Sequence, residues 1–239
     1  MKKLVGLVPS STTTNSPDSS SWKDGYRVGN NYTKRVHEAG LVPIGLAPVD
    51  NWLTEDALNA CDAFVVQGGS EFYPYHFQVI DHAVKTGKKY LGICLGQQII
   101  YVYFKLCALL DEEGYKGDTV KGICDYLAKQ PSGFTLQKRI SNHCFEHPQR
   151  GDEDSTKHDV DVVPGTLLHK VIGREKMRIC SFHNLCTPPE QTLVKINSWS
   201  ALGDGVVEGT EYGDNILGVQ GHPEADNLLP ELFAFLAED

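Results

Sequence analysis

Several short apolar runs, each closed by a turn signal, restrict the architectures open to this 239-residue chain. Leu4 to Val8 is apolar without a break, the pattern of a parallel strand buried on both faces. Val42 to Leu46, Ala63 to Gln67 and Lys89 to Leu91 follow as further strands. Between them lie helical patterns. Val28, Tyr32, Val36 and Ala39 recur at helical spacing and stop at Gly40, Asp56 to Asn59 suggests a short helix, and Tyr75 to Thr86 ends at Gly87. Such alternation predicts an α/β fold with an open, mostly parallel sheet, flanking helices and a few antiparallel strands. The antiparallel part falls late in the chain, where His158 to Val163 alternates polar and apolar residues. Leu167 to Ile172 then reads as a short helix, and Leu193 to Ile196, Gly205 to Glu208 and Ile216 to Gln220 read as strands. Gly213-Asp214-Asn215 is the turn between the last two strands, and Leu228 to Leu236 closes the chain as a helix. We read residues 1–239 as one domain, for which 41% hydrophobic residues supply an adequate core.

In open α/β sheets, ligands bind beyond the carboxyl ends of the strands. Two glycine-rich turns fall there, Gly68-Gly69 and Gly92-Ile93-Cys94-Leu95-Gly96-Gln97-Gln98. The second joins a strand to the apolar helix that starts with Ile99-Ile100-Tyr101, so its thiol sits on a tight strand-to-helix turn. Glycines two before and two after Cys94 allow the sharp turn of a nucleophile elbow, and a helix N-terminus favours thiolate. By itself a cysteine in such a turn reads as a small buried core residue. A cysteine nucleophile also needs a base and a carboxylate to orient it, and His222-Pro223-Glu224 supplies both, held in a rigid local relation by the proline. Alone that tripeptide reads as a surface turn; with the elbow it suggests a Cys94, His222, Glu224 triad.

These two motifs resemble those of the class I glutamine amidotransferases, whose fold is a flavodoxin-like α/β sheet. Within that family the chain looks most like the branch of gamma-glutamyl-gamma-aminobutyrate hydrolase and related gamma-glutamyl peptidases. Gly68-Gly69-Ser70-Glu71-Phe72-Tyr73-Pro74, Ser181-Phe182-His183-Asn184, and Asp204-Gly205-Val206-Val207-Glu208 with Glu211 carry the closer match. The branch usually has arginine in place of Leu95, an aromatic residue in place of Gly221, and a glycine pair in place of Phe104-Lys105.

The resemblance implies a cysteine hydrolase of small gamma-glutamyl amides that needs no metal and no organic cofactor. Adjacent glycines leave main-chain N–H groups unobstructed, so the N–H groups of Gly69 and Leu95 are the expected oxyanion hole. Gly68, Gln98, Phe182 and His183 are the expected substrate contacts. The alternative is a glutaminase subunit that passes ammonia to a separate synthase partner, a reading that Leu95 favours because Gly-Ile-Cys-Leu-Gly is also common in such subunits. A binding or sensor protein on this fold is a third reading, against which the complete Cys, His and Glu set counts.

Lys+Arg 22 against Asp+Glu 31 gives a net charge of −9, which argues against a nucleic-acid partner. Seven cysteines, odd in number and with no C-x-x-C pair, signal neither a disulfide framework nor a zinc site, and imply a reducing, cytoplasmic setting. The apolar run after Met1-Lys2-Lys3 ends at Pro9, too short for a signal peptide or membrane span, so no membrane association is expected. A homo-oligomer is allowed for. The polar stretch Ser10 to Trp22 reads as a flexible surface loop rather than a substrate lid. Asp111 to Lys157 is polar and broken by Gly and Pro, with a short helix at Ile123 to Ala128; we expect it to cover part of the site. His143, Cys144, His147 and His158 fit no compact zinc spacing and read as scattered surface residues.

Overall fold

The computed structural model describes residues 2–11, 25–141, 143 and 156–238. Its first half contains β1 (Leu4–Val8), β2 (Ser10–Ser11), β3 (Tyr26–Arg27), α1 (Asn30–Glu38), β4 (Val42–Gly45), α2 (Glu55–Ala60), β5 (Ala63–Val66), α3 (Pro74–Thr86), β6 (Lys89–Ile93) and α4 (Leu95–Glu112). The second contains α5 (Thr119–Ala128), β7 (Lys138–Arg139), β8 (Lys157–Val162), α6 (Leu167–Ile172), β9 (Lys176–Cys180), β10 (Leu185–Cys186), β11 (Lys195–Ser200), β12 (Val207–Tyr212), β13 (Ile216–Val219) and α7 (Pro230–Ala234). Among the described residues, nine strands form one sheet in the order β4-β1-β5-β6-β13-β12-β11-β8-β9. Pairing is parallel from β4 through β13 and antiparallel from there to β9. The fold is therefore the α/β architecture expected from the apolar runs.

The parallel strands are buried on both faces, and their two-residue period divides the side chains between two cores. Phe64, Val66 and Tyr90 join the core under α3, α4 and α5. Ala63, Val65, Leu91 and Ile93 point to the other face, where α1, α6 and α7 cover them. α3 stops as expected at Gly87, whose φ of 73° is left-handed. The central helix α4 is buried along much of its length because it lies against the sheet and between neighbouring helices. Among the described residues, no helix is long and apolar enough to cross a membrane.

Several boundaries differ from the sequence reading, among them the start of α5, which lies at Thr119 rather than Ile123. β11 runs on to Ser200 rather than stopping at Ile196, and β12 spans Val207–Tyr212 rather than residues 205–208. Polar residues hid the continuation of β11: Asn197 and Ser198 are fully buried, yet both are satisfied. Asn197 Nδ2 donates to the Gly218 carbonyl at 3.2 Å, and Ser198 Oγ donates to Asn197 Oδ1 at 2.9 Å, where the ladder bulges. α7 begins at Pro230, two residues later than expected. Of the polar N-terminal loop, residues 12–24 lie outside the described residues, as do Cys144 and His147.

Candidate active site

β6 delivers the chain to Cys94, which has φ 54° and ψ −103°, and α4 starts at the next residue. A positive φ is costly for a side chain with a Cβ, so the surroundings must hold this turn. Three contacts do so. The Cys94 N–H donates to the Val219 carbonyl at 2.9 Å, tying the elbow to β13. The Cys94 carbonyl accepts from Gln97 N and Gln98 N at 3.1 and 3.2 Å, making Cys94 the N-cap of α4. The Gly96 carbonyl accepts from the buried Tyr90 hydroxyl at 2.8 Å. The flanking glycines are steric necessities: a Cβ on Gly96 would stand 2.2 Å from the Val66 carbonyl oxygen, and one on Gly92 would stand 2.4 Å from the Gly96 oxygen. The elbow thus packs backbone to backbone against β5.

His222 arrives from the neighbouring strand, β13. The Gln220 N–H donates to the Glu208 carbonyl at 2.7 Å and the His222 N–H to the Cys180 carbonyl at 2.7 Å, so His222 is held by the antiparallel side of the sheet. His222 Nδ1 lies 2.7 Å from Glu224 Oε1. Burial opposes a charged imidazole, but the Cys94 sulfur and the Glu224 carboxylate outweigh it and raise the His222 pKa well above its ordinary value. By contrast, burial pushes the Cys107, Cys124 and Cys186 thiols up to about 11, away from thiolate. Gly68 fits between His222 and Cys94: a Cβ there would lie 3.0 Å from His222 Cε1 and 3.4 Å from Cys94 Cβ.

A cavity of about 420 Å³ opens over Cys94, lined by Gly69, Ser70, Leu95, Gln98, Gln137, Phe182, His183, Asn184, Leu185 and His222. Apart from Gly68, which is wedged beside it, every residue expected at the site is in that lining or in the triad. The Leu95 N–H, first in α4, has no intrahelical acceptor. Phe182 is half exposed at the rim, and its carbonyl lies 4.0 Å from Cys94 Sγ. Gln98 is already engaged: its Nε2 donates to the Leu185 carbonyl at 2.9 Å and to Gln220 Oε1 at 3.0 Å, and its Oε1 accepts from Gln137. Gln137 comes from the stretch expected to cover the site. Nothing in the sequence distinguished it from other polar loop residues.

Tyr32 also escaped the sequence reading, where it served only to mark a helix face. Its hydroxyl accepts from Gly68 N at 3.0 Å, and burial together with the nearby Glu224 carboxylate raises its pKa strongly. Two of the substituted positions have local consequences. Leu95 is buried, and a Cβ on Gly69 would come within 3.0 Å of it. Gly221 is pinned under β9, where a Cβ would stand 2.6 Å from Ile179 Cγ1 and 2.7 Å from the Cys180 oxygen, so no aromatic side chain fits there without moving the strand. Phe104 instead stacks on Tyr212 at 4.0 Å between centroids, and Lys105 pairs with Glu190 at 3.4 Å, both away from the cavity lining.

The histidines require a correction. His143 and His158 are not surface residues: both are buried, and with His183 they surround the carboxylate of Glu208. Strand pairing and the turn at Asp204 bring together positions that are far apart in sequence, which is why spacing did not reveal them. Glu211, from the same motif, has a different task. Its carboxylate accepts from Leu167 N and Leu168 N at 2.8 and 3.1 Å and satisfies the first turn of α6.

The Peptidase C26 family model matches residues 120–224, a little under half of the chain, which includes His222 and Glu224 but not Cys94. No curated protein sequence matches the chain. Among solved structures, the glutaminase domain of Trypanosoma brucei CTPS with bound acivicin is similar, with 14% identity, a TM-score of 0.61, and coverage of 99% of this chain and 93% of that one. PurLQS from Thermotoga maritima matches at 17% identity and a TM-score of 0.57, covering 99% and 98%. A putative GMP synthase subunit from Thermoplasma acidophilum matches at 18% identity and a TM-score of 0.53, covering 99% and 94%. At such identities the likeness establishes a shared fold, that of the glutaminase domains of amidotransferases.

Proposed function

We propose that the chain is a cysteine hydrolase of the class I glutamine amidotransferase group that cleaves gamma-glutamyl amide bonds. The observation that carries this reading is the strained Cys94 elbow facing a cavity beside His222, itself 2.7 Å from Glu224. In this mechanism the Cys94 thiolate attacks the gamma-carbonyl carbon, and the N–H groups of Gly69 and Leu95 receive the oxyanion. The intermediate collapses as His222 protonates the departing amine, leaving a gamma-glutamyl thioester on Cys94. Water then attacks the thioester carbon and gives its proton to His222; the C–S bond breaks, and glutamate leaves. Glu224 keeps the proton of His222 Nδ1 in place through both halves.

Gly68, Gln98, Phe182 and His183 form the glutamyl-binding wall in this reading. Gln98 acts through Gln137 and Leu185 as much as by direct contact, since its amide is already engaged. A cavity of about 420 Å³ falls within the range of small-molecule sites and leaves room for an amine larger than ammonia. An odd number of cysteines without a C-x-x-C pair suits a reducing, cytoplasmic compartment in which Cys94 stays reduced.

A second reading is a glutaminase subunit feeding a separate synthase, and the matches to the CTPS glutaminase domain and the putative GMP synthase subunit favour it. The isolated chain decides between them when assayed for glutamate release from glutamine, gamma-glutamyl-gamma-aminobutyrate, gamma-glutamyl dipeptides and gamma-glutamyl anilides. A stand-alone hydrolase turns over the conjugates unaided and prefers them to glutamine, because contacts with the leaving group can stabilise the transition state. Silence on all conjugates, with glutaminase activity appearing only once a synthase is added, would establish the subunit instead.

A further inference from the structure

Behind the cavity wall, the side chain of His143 lies fully buried between two carboxylates. Its Nε2 stands 2.7 Å from Asp204 Oδ2 and its Nδ1 3.0 Å from Glu208 Oε1, and an ionised carboxylate can only accept. Both nitrogens therefore donate, and the ring is an imidazolium. Burial disfavours the charge on all three groups, yet the imidazole pulls the pKa of each carboxylate down and the two carboxylates raise its own. The rings of His158 and His183 pack beside it at 5.1 and 5.0 Å between centroids, and their Nε2 atoms stand 3.5 and 3.6 Å from the same Glu208 oxygen.

The main chain of the same residue has a second task. The His143 carbonyl accepts from His183 N at 3.1 Å and from Ser181 Oγ at 3.3 Å. One end of the 181–184 segment therefore depends on it. That segment carries Phe182, whose carbonyl lies 4.0 Å from Cys94 Sγ, and His183 and Asn184, which line the cavity. Its other end is held independently, by Ile140 N donating to the Asn184 carbonyl at 3.0 Å and by the pairing of β10 with β7. His222 is independent of it too, since its N–H bonds to the carbonyl of Cys180, which β8 fixes opposite Lys157.

We propose that His143 is a positioning residue for the cavity wall: its ring, clamped as a double donor between Asp204 and Glu208, fixes the carbonyl that binds Ser181 and His183. Asp204 precedes β12 and Glu208 belongs to it, so two carboxylates that do not line the cavity reach its wall through one side chain. What the wall binds rests on the proposed reaction; how the wall is held does not.

His143→Gln in the full chain tests the clamp. A glutamine amide donates to one carboxylate but turns its oxygen toward the other, a repulsion weakly screened in a dry interior. The His183 amide should then exchange its hydrogen about tenfold faster or more, while the amides of β9 keep their protection. On a gamma-glutamyl amide, KM should rise about tenfold with kcat within about threefold, because the wall loosens and the triad does not. Adding Asp204→Asn to His143→Gln supplies a donor to the glutamine oxygen and should restore both readouts; a ring that acted only by packing would not be rescued by a change at Asp204. If His143→Gln alone fails to fold, a folded double variant with a protected His183 amide supports the clamp. Unchanged exchange in a folded His143→Gln, a fall in kcat alone, or a double variant that is unfolded or unrescued would each overturn it. A chain that cleaves no gamma-glutamyl amide would overturn the proposed reaction instead, and hydrogen exchange would still decide the clamp.

Discussion

The parallel and antiparallel halves of the sheet achieve burial by different chemistry. β1, β5, β6 and β13 bury apolar residues at nearly every position, so packing alone fixes where their ends fall. The antiparallel half instead buries Asn197, Ser198, Glu208, Thr210 and Glu211: Asn197 bonds to the Gly218 carbonyl, Ser198 to Asn197 beside it, Thr210 to Gln97 of α4 and Glu211 to the first turn of α6, while Glu208 sits among three histidines. The candidate site lies where the halves meet. Cys94 leaves the apolar side on β6, while His222, one strand over, hangs from the Cys180 carbonyl of β9. Packing places Cys94, and hydrogen bonds orient His222. Such a division suits the proposed hydrolase: the strained elbow needs a rigid seat, and the imidazole needs a fixed tautomer.

The largest test of this contrast removes the reacting groups themselves. Cys94→Ala should lower kcat on a gamma-glutamyl substrate by on the order of 10⁴-fold or more, and His222→Asn should cost nearly as much. Glu224→Gln should retain about one to two orders of magnitude more activity than either, because a poorly held imidazole still transfers protons. Steady-state turnover of the three variants measures the order. An active His222→Asn would remove the base from His222.

Next comes the seat of the elbow. Gly96→Ala forces a Cβ to within 2.2 Å of the Val66 carbonyl oxygen, a backbone atom that cannot swing aside. We expect a loss of about 3 kcal/mol in urea unfolding, at the upper end of what overpacking costs. Activity should fall with it, since the turn must open to relieve the clash. A chain as stable as the original would mean that the elbow is looser than its backbone contacts indicate.

Much of the apolar half was legible in the sequence. Leu4 to Val8, Ala63 to Val66 and the Gly-bracketed Cys94 announce themselves through hydrophobic runs and turn residues, and the candidate triad needed only one further motif, His222-Pro223-Glu224. The polar half was harder to read. Period-two patterning fails when both faces of a strand are buried and one of them is polar, as at Asn197 and Ser198, and so β11 was cut short. The gathering of His143, His158 and His183 on Glu208 depends on antiparallel register and on the turn at Asp204, neither of which leaves a local signal. Tyr32 and Gln137 were missed for a related reason: their roles come from what packs beside them.

A smaller effect separates the two members of the orienting pair. His222 has its pKa raised above the ordinary 6.5, so the stabilisation from its imidazolium is complete below that value and is lost as pH rises through the elevated folded value. The same proton is needed by the leaving amine, so activity should fall on the alkaline side at the apparent pKa of the Cys94–His222 pair. Glu224→Gln removes one of the causes that raise it. The alkaline limb of the kcat/KM profile should therefore move to lower pH in that variant, and an unmoved limb would show that Cys94 alone sets it.

The mildest prediction concerns Tyr32, which links α1 to both sides of the site. Its hydroxyl accepts from Gly68 N at 3.0 Å and stands beside Glu224. Tyr32→Phe keeps the ring packing but leaves the part-buried Gly68 N–H without its acceptor, at a cost of about 1 kcal/mol. Gly68 is wedged between His222 and Cys94, so relaxation of that N–H would shift the spacing of base and nucleophile rather than remove either. We therefore expect a drop in kcat of about tenfold or less with little change in KM, as follows when a group acts on geometry rather than on substrate affinity. A raised KM with unchanged kcat would instead put the Tyr32 hydroxyl in the substrate-binding wall, and would make α1, not the elbow alone, part of what the cavity recognises.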